Sequence, residues 1–210
     1  MEKVLAFFGA FNPPTKAHVE LAKFAAEKTE RDRVVFIPSK TEYITTEQKK
    51  NFSFSDEERL DMLYEVYEKN SDWMLFTDHD ILSETQPRSY ETLKWLRNEK
   101  DYDPTLLIGA DQFFDMEEHW KNVPEIAKEF GIVVLTRRAF SIDSIMQHSA
   151  FYKEIKPHVQ VVETPKNTRN ISSSWIRNNM LEVQERLRYL KTDLTPEIYD
   201  YIKECYLYEI

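Results

Sequence analysis

The chain has 210 residues, of which 41% are hydrophobic and 31% are charged, and its formal net charge is −9 at pH 7. This acidic balance argues against general binding to nucleic acid, because a phosphate backbone is held mainly by a surplus of lysine and arginine. No apolar stretch approaches the roughly 20 residues that span a bilayer, and the N-terminus lacks the long apolar segment of a signal peptide. We therefore expect a cytoplasmic protein without a membrane partner.

Length and cysteine content set two further bounds. A chain of this size can bury one substantial core, so we expect a single domain over 1–210 with a small helical part at about 170–210. Cys205 is the single cysteine, so neither an intrachain disulfide nor a cysteine-rich metal site can form.

Short apolar runs alternate with helical patterns along the chain. Val4 to Phe8 is typical of a buried strand, and Pro13 and Pro14 force an extended turn before an amphipathic helix over Thr15 to Lys28. The further predicted strands are Arg33 to Ile37, Trp73 to Thr77, Thr105 to Ile108, Ile132 to Thr136 and Val159 to Val162. This alternation predicts an α/β fold, a doubly wound parallel sheet that binds ligands at the carboxyl ends of its strands.

A polar stretch follows the second predicted strand. Ser39 to Ser55 is too long for an ordinary connection and is interpreted as a mobile substrate loop. Lys49 within it is a candidate for closing over a bound phosphate. A lysine in a charged loop is equally typical of a solvated side chain.

The turn after the first strand is the first candidate site. Gly9 to His18 leads from a strand into a helix, and a helix N-terminus offers backbone N–H groups to an anion. Thr15 and His18, three residues apart, would point a hydroxyl and an imidazole at the same anion. A surface or capping histidine is the alternative interpretation.

A second candidate anion site lies near the C-terminus, after the last predicted strand. Ser172 and Ser173 would cap a helix there, and Arg177, on the same helix face, could hold two phosphate oxygens in a fork. The alternative is a plain helix cap with the arginine in a surface ion pair.

These segments together resemble a known family. The pattern from Gly9 to His18 resembles the G-x-F-x-P-x-[HT]-x-x-H signature of the nucleotidyltransferase superfamily, and Ile171 to Arg177 resembles its I-S-[ST]-[ST]-x-x-R signature. Leu107 to Asp111, Trp120 to Arg137 and Tyr189 to Tyr208 are similar to three further stretches of the nicotinate and nicotinamide mononucleotide adenylyltransferases. The resemblance therefore runs nearly end to end.

The resemblance implies a Rossmann-like nucleotidyltransferase that moves the adenylyl group of ATP to nicotinate or nicotinamide mononucleotide in NAD biosynthesis. Mg²⁺ would accompany the ATP and bridge its phosphate oxygens with few protein ligands. Other members of the superfamily, such as a phosphopantetheine adenylyltransferase or a cytidylyltransferase, and a non-catalytic nucleotide sensor are the alternatives. A homo-oligomer is left open.

The resemblance also implies roles for individual residues. His18, with Thr15 beside it, and Arg177 would be catalytic, stabilising charge on the phosphates. The nucleotide-binding set is Gly9, Ala10, Phe11, Lys49, Gly109, Asp111, Ser172 and Ser173, and the substrate-binding set is Asn12, Ser89, Thr92 and Trp120. Asp111 as a helix cap and Trp120 as a half-buried core residue are the alternatives for these two.

Some positions depart from the pattern of bacterial members. Thr15 stands where many carry histidine, Ala17 where they carry glycine, and Ser174 where threonine is usual. These exchanges keep a small residue or a hydroxyl in place, so they leave the reaction class unchanged. They leave open whether the acceptor carries a carboxylate or an amide.

Overall fold

The computed structural model describes residues 1–50, 53–136, 142, 146–147, 149–165 and 194–200. A parallel sheet runs through it in the order β3-β2-β1-β4-β5-β6. Its strands are β1 (Glu2–Gly9), β2 (Arg33–Pro38), β3 (Met74–Phe76), β4 (Tyr102–Gly109), β5 (Ile132–Thr136) and β6 (Val159–Glu163). This is the doubly wound α/β architecture that the sequence predicts.

Helices cover both faces of the sheet. They are α1 (Lys16–Thr29), α2 (Thr41–Thr46), α3 (Asp56–Asn70), α4 (His79–Leu82), α5 (Ser89–Lys100), α6 (Ala110–His119), α7 (Val123–Phe130) and α8 (Ala150–Ile155). Apolar side chains of α1 and α3 share one core cluster, and those of α5, α6 and α7 share the other. Among the described residues, no helix is long and apolar enough to cross a bilayer.

The central strand explains why the sheet has two cores. Leu5 and Phe7 of β1 belong to the first cluster, whereas Val4, Ala6 and Phe8 belong to the second. Successive side chains of a strand point to opposite faces, so a strand covered on both sides is apolar throughout. The continuous apolar run of β1 is the consequence.

The topology also fixes where a ligand can enter. From β1 the chain moves to β2 and β3 on one side, and then returns to place β4 on the other. Ligands of such sheets bind outside the carboxyl ends of the strands, at this change of direction. The residues that follow Gly9 in β1 and Gly109 in β4 therefore flank the expected crevice.

Two expectations about chain organisation have different outcomes. The prediction of a mobile substrate loop over Ser39 to Ser55 is wrong in part, because Thr41–Thr46 form α2 and side chains of α3 bind this segment. The expected helical part at about 170–210 lies mostly outside the described residues. Within it, Leu194 and Ile198 are buried in the first core cluster, and residues 196–200 are helical.

Candidate active site

Backbone carbonyls at the start of the loop between β1 and α1 accept hydrogen bonds from other parts of the chain. The carbonyl of Gly9 accepts a hydrogen bond from the backbone N–H of Ser39 at 3.0 Å. The carbonyl of Ala10 accepts one from Nη1 of Arg59 at 2.7 Å. Because both carbonyls are occupied, the loop has a defined course before any ligand binds.

Phe11 and Asn12 anchor this loop from within. Phe11 is 2% exposed, and its ring centroid lies 5.4 Å from that of His18. A Cβ on Gly9 would lie 3.0 Å from the Phe11 ring, so glycine lets the ring fold back over the strand end. Asn12 is 1% exposed, and its side-chain oxygen accepts the backbone N–H of Phe54 at 3.0 Å. Both side chains, predicted as ligand contacts, are therefore buried in the scaffold.

Thr15 and His18 form the head of α1. Thr15 is the N-cap, and its side chain accepts the backbone N–H of His18 at 3.4 Å in a capping box. The backbone N–H of Thr15 in turn donates to Nδ1 of His18 at 3.0 Å, and the hydroxyl lies 2.8 Å from the same nitrogen. Thr15 is fully buried and holds the imidazole of His18, and its predicted catalytic role beside His18 stays a prediction.

This pairing determines which ring nitrogen of His18 can donate. A backbone N–H is only a donor, so the Nδ1 that it meets must act as an acceptor. In the neutral ring the proton then lies on Nε2, on the opposite side of the imidazole. His18 is half-buried, so it can present an Nε2–H donor at the N-terminus of α1.

Arg59 connects this loop to α2 and α3. Its guanidinium is fully buried, and Nη2 binds Oδ1 of Asp56 at 2.5 Å and the Thr41 hydroxyl at 3.2 Å. Asp56 also accepts the backbone N–H of Thr41 at 2.7 Å. Burial lowers the pKa of Arg59, and the charge of Asp56 opposes that shift. One buried cation therefore fixes the Ala10 carbonyl and the start of α2 together.

The turn after β4 is built differently. Asp111, in the first turn of α6, is exposed, and its Oδ1 would lie 2.5 Å from a Cβ on Gly109. A side chain at position 109 would displace the carboxylate from this position beside the strand end. The N-cap of α6 is Gly109 itself, without a side-chain cap, so Asp111 does not serve as the cap. Its position is compatible with the predicted contact to ribose hydroxyls, which stays a prediction.

Trp120 ends the same helix. It is the C-cap of α6, where its backbone N–H donates to the carbonyl of Met116 at 3.1 Å. The side chain is half-buried and packs against the second core cluster. At a rise of about 1.5 Å per residue, it stands about 15 Å along the helix axis from the strand end. The stacking role stays a prediction.

Ser89 and Thr92 lie in the first turn of α5, as the sequence predicts. Ser89 is half-buried at the first helical position. Thr92 is fully buried, and its hydroxyl donates to Oδ1 of Asp80 at 2.7 Å. The Thr92 hydroxyl is engaged inside the protein, and the predicted contact of Thr92 with a substrate stays a prediction.

The remaining predicted residues divide into two groups. Lys49 is exposed, three residues after α2 ends at Thr46. Ser172, Ser173 and Arg177 lie outside the described residues, so the second candidate anion site stays a prediction. Among the residues that the structure describes, no group of three or more His, Cys, Asp or Glu side chains could hold a metal ion.

The residues that sequence reasoning missed are buried polar side chains that support the site. Arg59 had a recognisable signal, because Arg59, Met62, Leu63 and Val66 follow the spacing of one helix face, and all four are buried. A charged residue on an apolar stripe needs a buried partner. Asp80 lies in a helix of four residues and had no comparable signal.

Comparisons with known proteins agree with this geometry. A family model described as cytidylyltransferase-like matches residues 6–179. The chain is 30% identical over 210 residues to a probable nicotinate-nucleotide adenylyltransferase of Clostridium acetobutylicum, covering 99% of this chain and 100% of the relative. It is 28% identical over 209 residues to one of Carboxydothermus hydrogenoformans, covering 98% of each. A nicotinic acid mononucleotide adenylyltransferase of Plasmodium falciparum, solved in complex with NaAD, shares the fold, with a TM-score of 0.74 at 17% identity over 100% of this chain and 98% of that one.

The fold is a parallel sheet, and the helix that carries His18 begins where the strand order changes direction. The family model matches most of the chain, so the chain belongs to the cytidylyltransferase-like family. It is a nucleotidyltransferase. Within that class, end-to-end similarity to the Clostridium acetobutylicum relative places it among the nicotinate-nucleotide adenylyltransferases.

Proposed function

We propose that this protein transfers the adenylyl group of ATP to nicotinate mononucleotide. A phosphate oxygen of the mononucleotide attacks the α-phosphorus, the bond from that phosphorus to the β-phosphate bridging oxygen breaks, and pyrophosphate leaves. The product is the dinucleotide precursor of NAD. The carboxylate form of the acceptor is favoured because the similar bacterial proteins are named for it.

The observation that carries the proposal is the fixed imidazole of His18 at the head of α1. The Thr15 N–H holds Nδ1 at 3.0 Å, so Nε2 is the donor. Charge on the α-phosphoryl oxygens grows as the new bond forms, and a donor that is already oriented stabilises that charge without reorganising. No covalent intermediate on the protein is needed.

Further residues are proposed around this centre. Asp111 would accept the ribose hydroxyls of ATP, and Trp120 would stack on the pyridinium ring. Ser172, Ser173 and Arg177 would hold the β- and γ-phosphates, with Lys49 closing over them. The backbone of Gly9 and Ala10 would border the nucleotide, since the Phe11 and Asn12 side chains are buried.

Mg²⁺ is proposed to arrive with ATP, bound mainly by its phosphate oxygens. The described residues offer no carboxylate cluster for it, and Mg²⁺ commonly binds through substrate phosphates and water. When bound, the ion would neutralise phosphate charge, and the Nε2–H of His18 would donate to the α-phosphoryl oxygens.

The test is pyrophosphate release from ATP with three acceptors: nicotinate mononucleotide, nicotinamide mononucleotide and phosphopantetheine. We expect the highest kcat/KM with nicotinate mononucleotide, and dinucleotide formed in equal amount to pyrophosphate. Higher kcat/KM with phosphopantetheine would assign another transferase of the family. Tight ATP binding with no release for any acceptor would indicate a nucleotide sensor.

A further inference from the structure

The buried carboxylate of Asp80 lies between the segment that carries Lys49 and the start of α5, which carries Ser89. Asp80 of α4 is 1% exposed. Its Oδ1 accepts the hydroxyl of Thr92 at 2.7 Å, and its Oδ2 accepts the side-chain amide of Gln86 at 2.9 Å. Each carboxylate oxygen therefore has a partner in a different part of the chain.

Gln86 extends this connection to the segment after β2. Its side-chain oxygen accepts the backbone N–H of Lys40 at 2.8 Å. Because the amide nitrogen of Gln86 donates to Asp80, its oxygen must face Lys40. Lys40 immediately precedes α2, so Asp80 sets the start of the segment that leads to Lys49.

The Lys40 side chain also links the segment after β2 to α4 and the residue that follows it. Its ammonium donates to the carbonyls of Ile81 and Ser83, each at 2.6 Å. Both carbonyls follow Asp80 closely along the chain. The segment is therefore attached to α4 through its backbone and through its side chain.

Thr92 forms the other connection, to α5. Its hydroxyl holds the first turn of that helix against Asp80. Ser89 stands at the start of the same turn, and the backbone N–H of Arg88 donates to Glu91 at 2.8 Å to close it. Asp80 thus fixes the helix start that carries the candidate mononucleotide contact.

We propose that Asp80 is a positioning residue that acts through Gln86 on segment 39–50, on the triphosphate side, and through Thr92 on the start of α5, on the mononucleotide side. Naming the two sides rests on the proposed function. In this role Asp80 itself touches no ligand.

The chemistry of the site explains why a carboxylate is suited to this role. A buried carboxylate is costly, and an apolar side chain of similar size could replace it without loss of packing. Two acceptor oxygens, however, orient a hydroxyl and an amide at once. Burial raises the pKa of Asp80 to about 6, with the charge of Glu91 adding to the shift and the two hydrogen bonds opposing it.

An asparagine can preserve both connections. The Thr92 hydroxyl can either donate or accept, so it can accept the new amide nitrogen while the amide oxygen still faces Gln86. Asp80→Asn is therefore a conservative variant, and Asp80→Leu removes both connections. Glu91, whose charge acts on Asp80, is unchanged in both variants.

The test separates the two connections by single substitutions. Gln86→Met removes the bond to Lys40, and we expect it to raise KM for ATP by about threefold or more while KM for the mononucleotide stays within about twofold. Thr92→Val should give the opposite pattern, and Asp80→Leu should raise both. Asp80→Asn and the exposed neighbour variant Glu84→Gln should keep wild-type values. Equal effects of Gln86→Met and Thr92→Val on both substrates would overturn the proposal.

A readout independent of activity keeps this inference distinct from the proposed function. Amide hydrogen exchange at Lys40 should accelerate by about tenfold or more in Gln86→Met and Asp80→Leu, and stay unchanged in Thr92→Val. Unchanged exchange in Gln86→Met would overturn the inference even in an active enzyme. A wild-type protein that is inactive with every acceptor, but shows this exchange pattern, would overturn the proposed function and leave the positioning role of Asp80 standing.

Discussion

The two turns that flank the crevice are built in opposite ways. After β1, the carbonyl of Ala10, the side chain of Asn12 and the ring of His18 each have a partner inside the protein. After β4, Asp111 is exposed, and its carboxylate lies close to Gly109. The first turn is preorganised, whereas the second offers an open carboxylate.

This difference matches what the proposed reaction needs from each turn. Charge that develops in a transition state is best met by groups that are already fixed. A ribose hydroxyl can be met by an exposed acceptor that adjusts on binding. Substitutions in the first turn should therefore act on kcat or stability, and those after β4 should act on KM.

The largest effect is expected where the buried network of the first turn is broken. Arg59→Met removes the donor to Ala10 and leaves Asp56 without its cation, so the free energy of unfolding should fall by about 3 kcal/mol. Urea unfolding measures this. Arg33→Met breaks the partly exposed pair with Glu2 and should cost at most about 1 kcal/mol. Equal losses in the two variants would contradict the importance of the buried network.

Asp80 is a second buried ionisable group, and we expect its charge to lower the stability of the fold, whereas the Arg59 network raises it. The pKa of Asp80 is raised to about 6, so the folded state keeps its proton while the unfolded state releases it near its ordinary value of 3.8. Stability should therefore fall as pH rises from about 4 to 6, by about 3 kcal/mol in total, and stay level above. Asp80→Asn should lack this fall. Parallel pH profiles of unfolding for the two proteins would contradict the shift.

His18 tests the preorganised turn directly. His18→Ala should lower kcat by about 10²-fold, because it removes one oriented donor to the α-phosphoryl oxygens. Thermal unfolding should change little, since the ring is half-buried at a helix start. Steady-state pyrophosphate release measures the rate, and an unchanged kcat would remove His18 from the mechanism.

Trp120 tests the more open side, with the smallest expected effect. Trp120→Ala should raise KM for the pyridine mononucleotide by about tenfold and leave KM for ATP unchanged, because stacking is lost rather than transition-state charge. Steady-state kinetics with each substrate varied in turn measures the split. Equal losses for both substrates would indicate core packing instead.

The sheet could be predicted closely because its strands are apolar runs bounded by turn residues. Ile132–Thr136 matches the predicted strand. The helix α1 begins at Lys16, one residue after the predicted start, because Thr15 is its N-cap. β4 begins three residues earlier than predicted, with Pro104 inside it. β5 pairs with β4 only from Leu106 onward, so Pro104 lies where β4 has a neighbour on one side alone.

The candidate site residues could be predicted from the sequence, whereas the buried hydrogen bonds that hold them could not. Gly9 and Gly109 end their strands, and His18 and Asp111 follow these strand ends, an order that the linear sequence reveals. Arg59 and Asp80 are buried through partners 49 and 12 residues away in the chain, at Ala10 and Thr92. Sequence spacing places Arg59 on a buried helix face, but it does not identify these partners or the buried hydrogen bonds of Asn12 and Thr92.

The central claim is that the α-phosphorus of ATP is transferred to the acceptor. We would follow ATP labelled at the α-phosphorus during reaction with nicotinate mononucleotide. The account predicts that all label lost from ATP appears in the dinucleotide and none in pyrophosphate, and that His18→Ala slows this transfer. Label retained in AMP without dinucleotide, or a labelled pyrophosphate product, would contradict it.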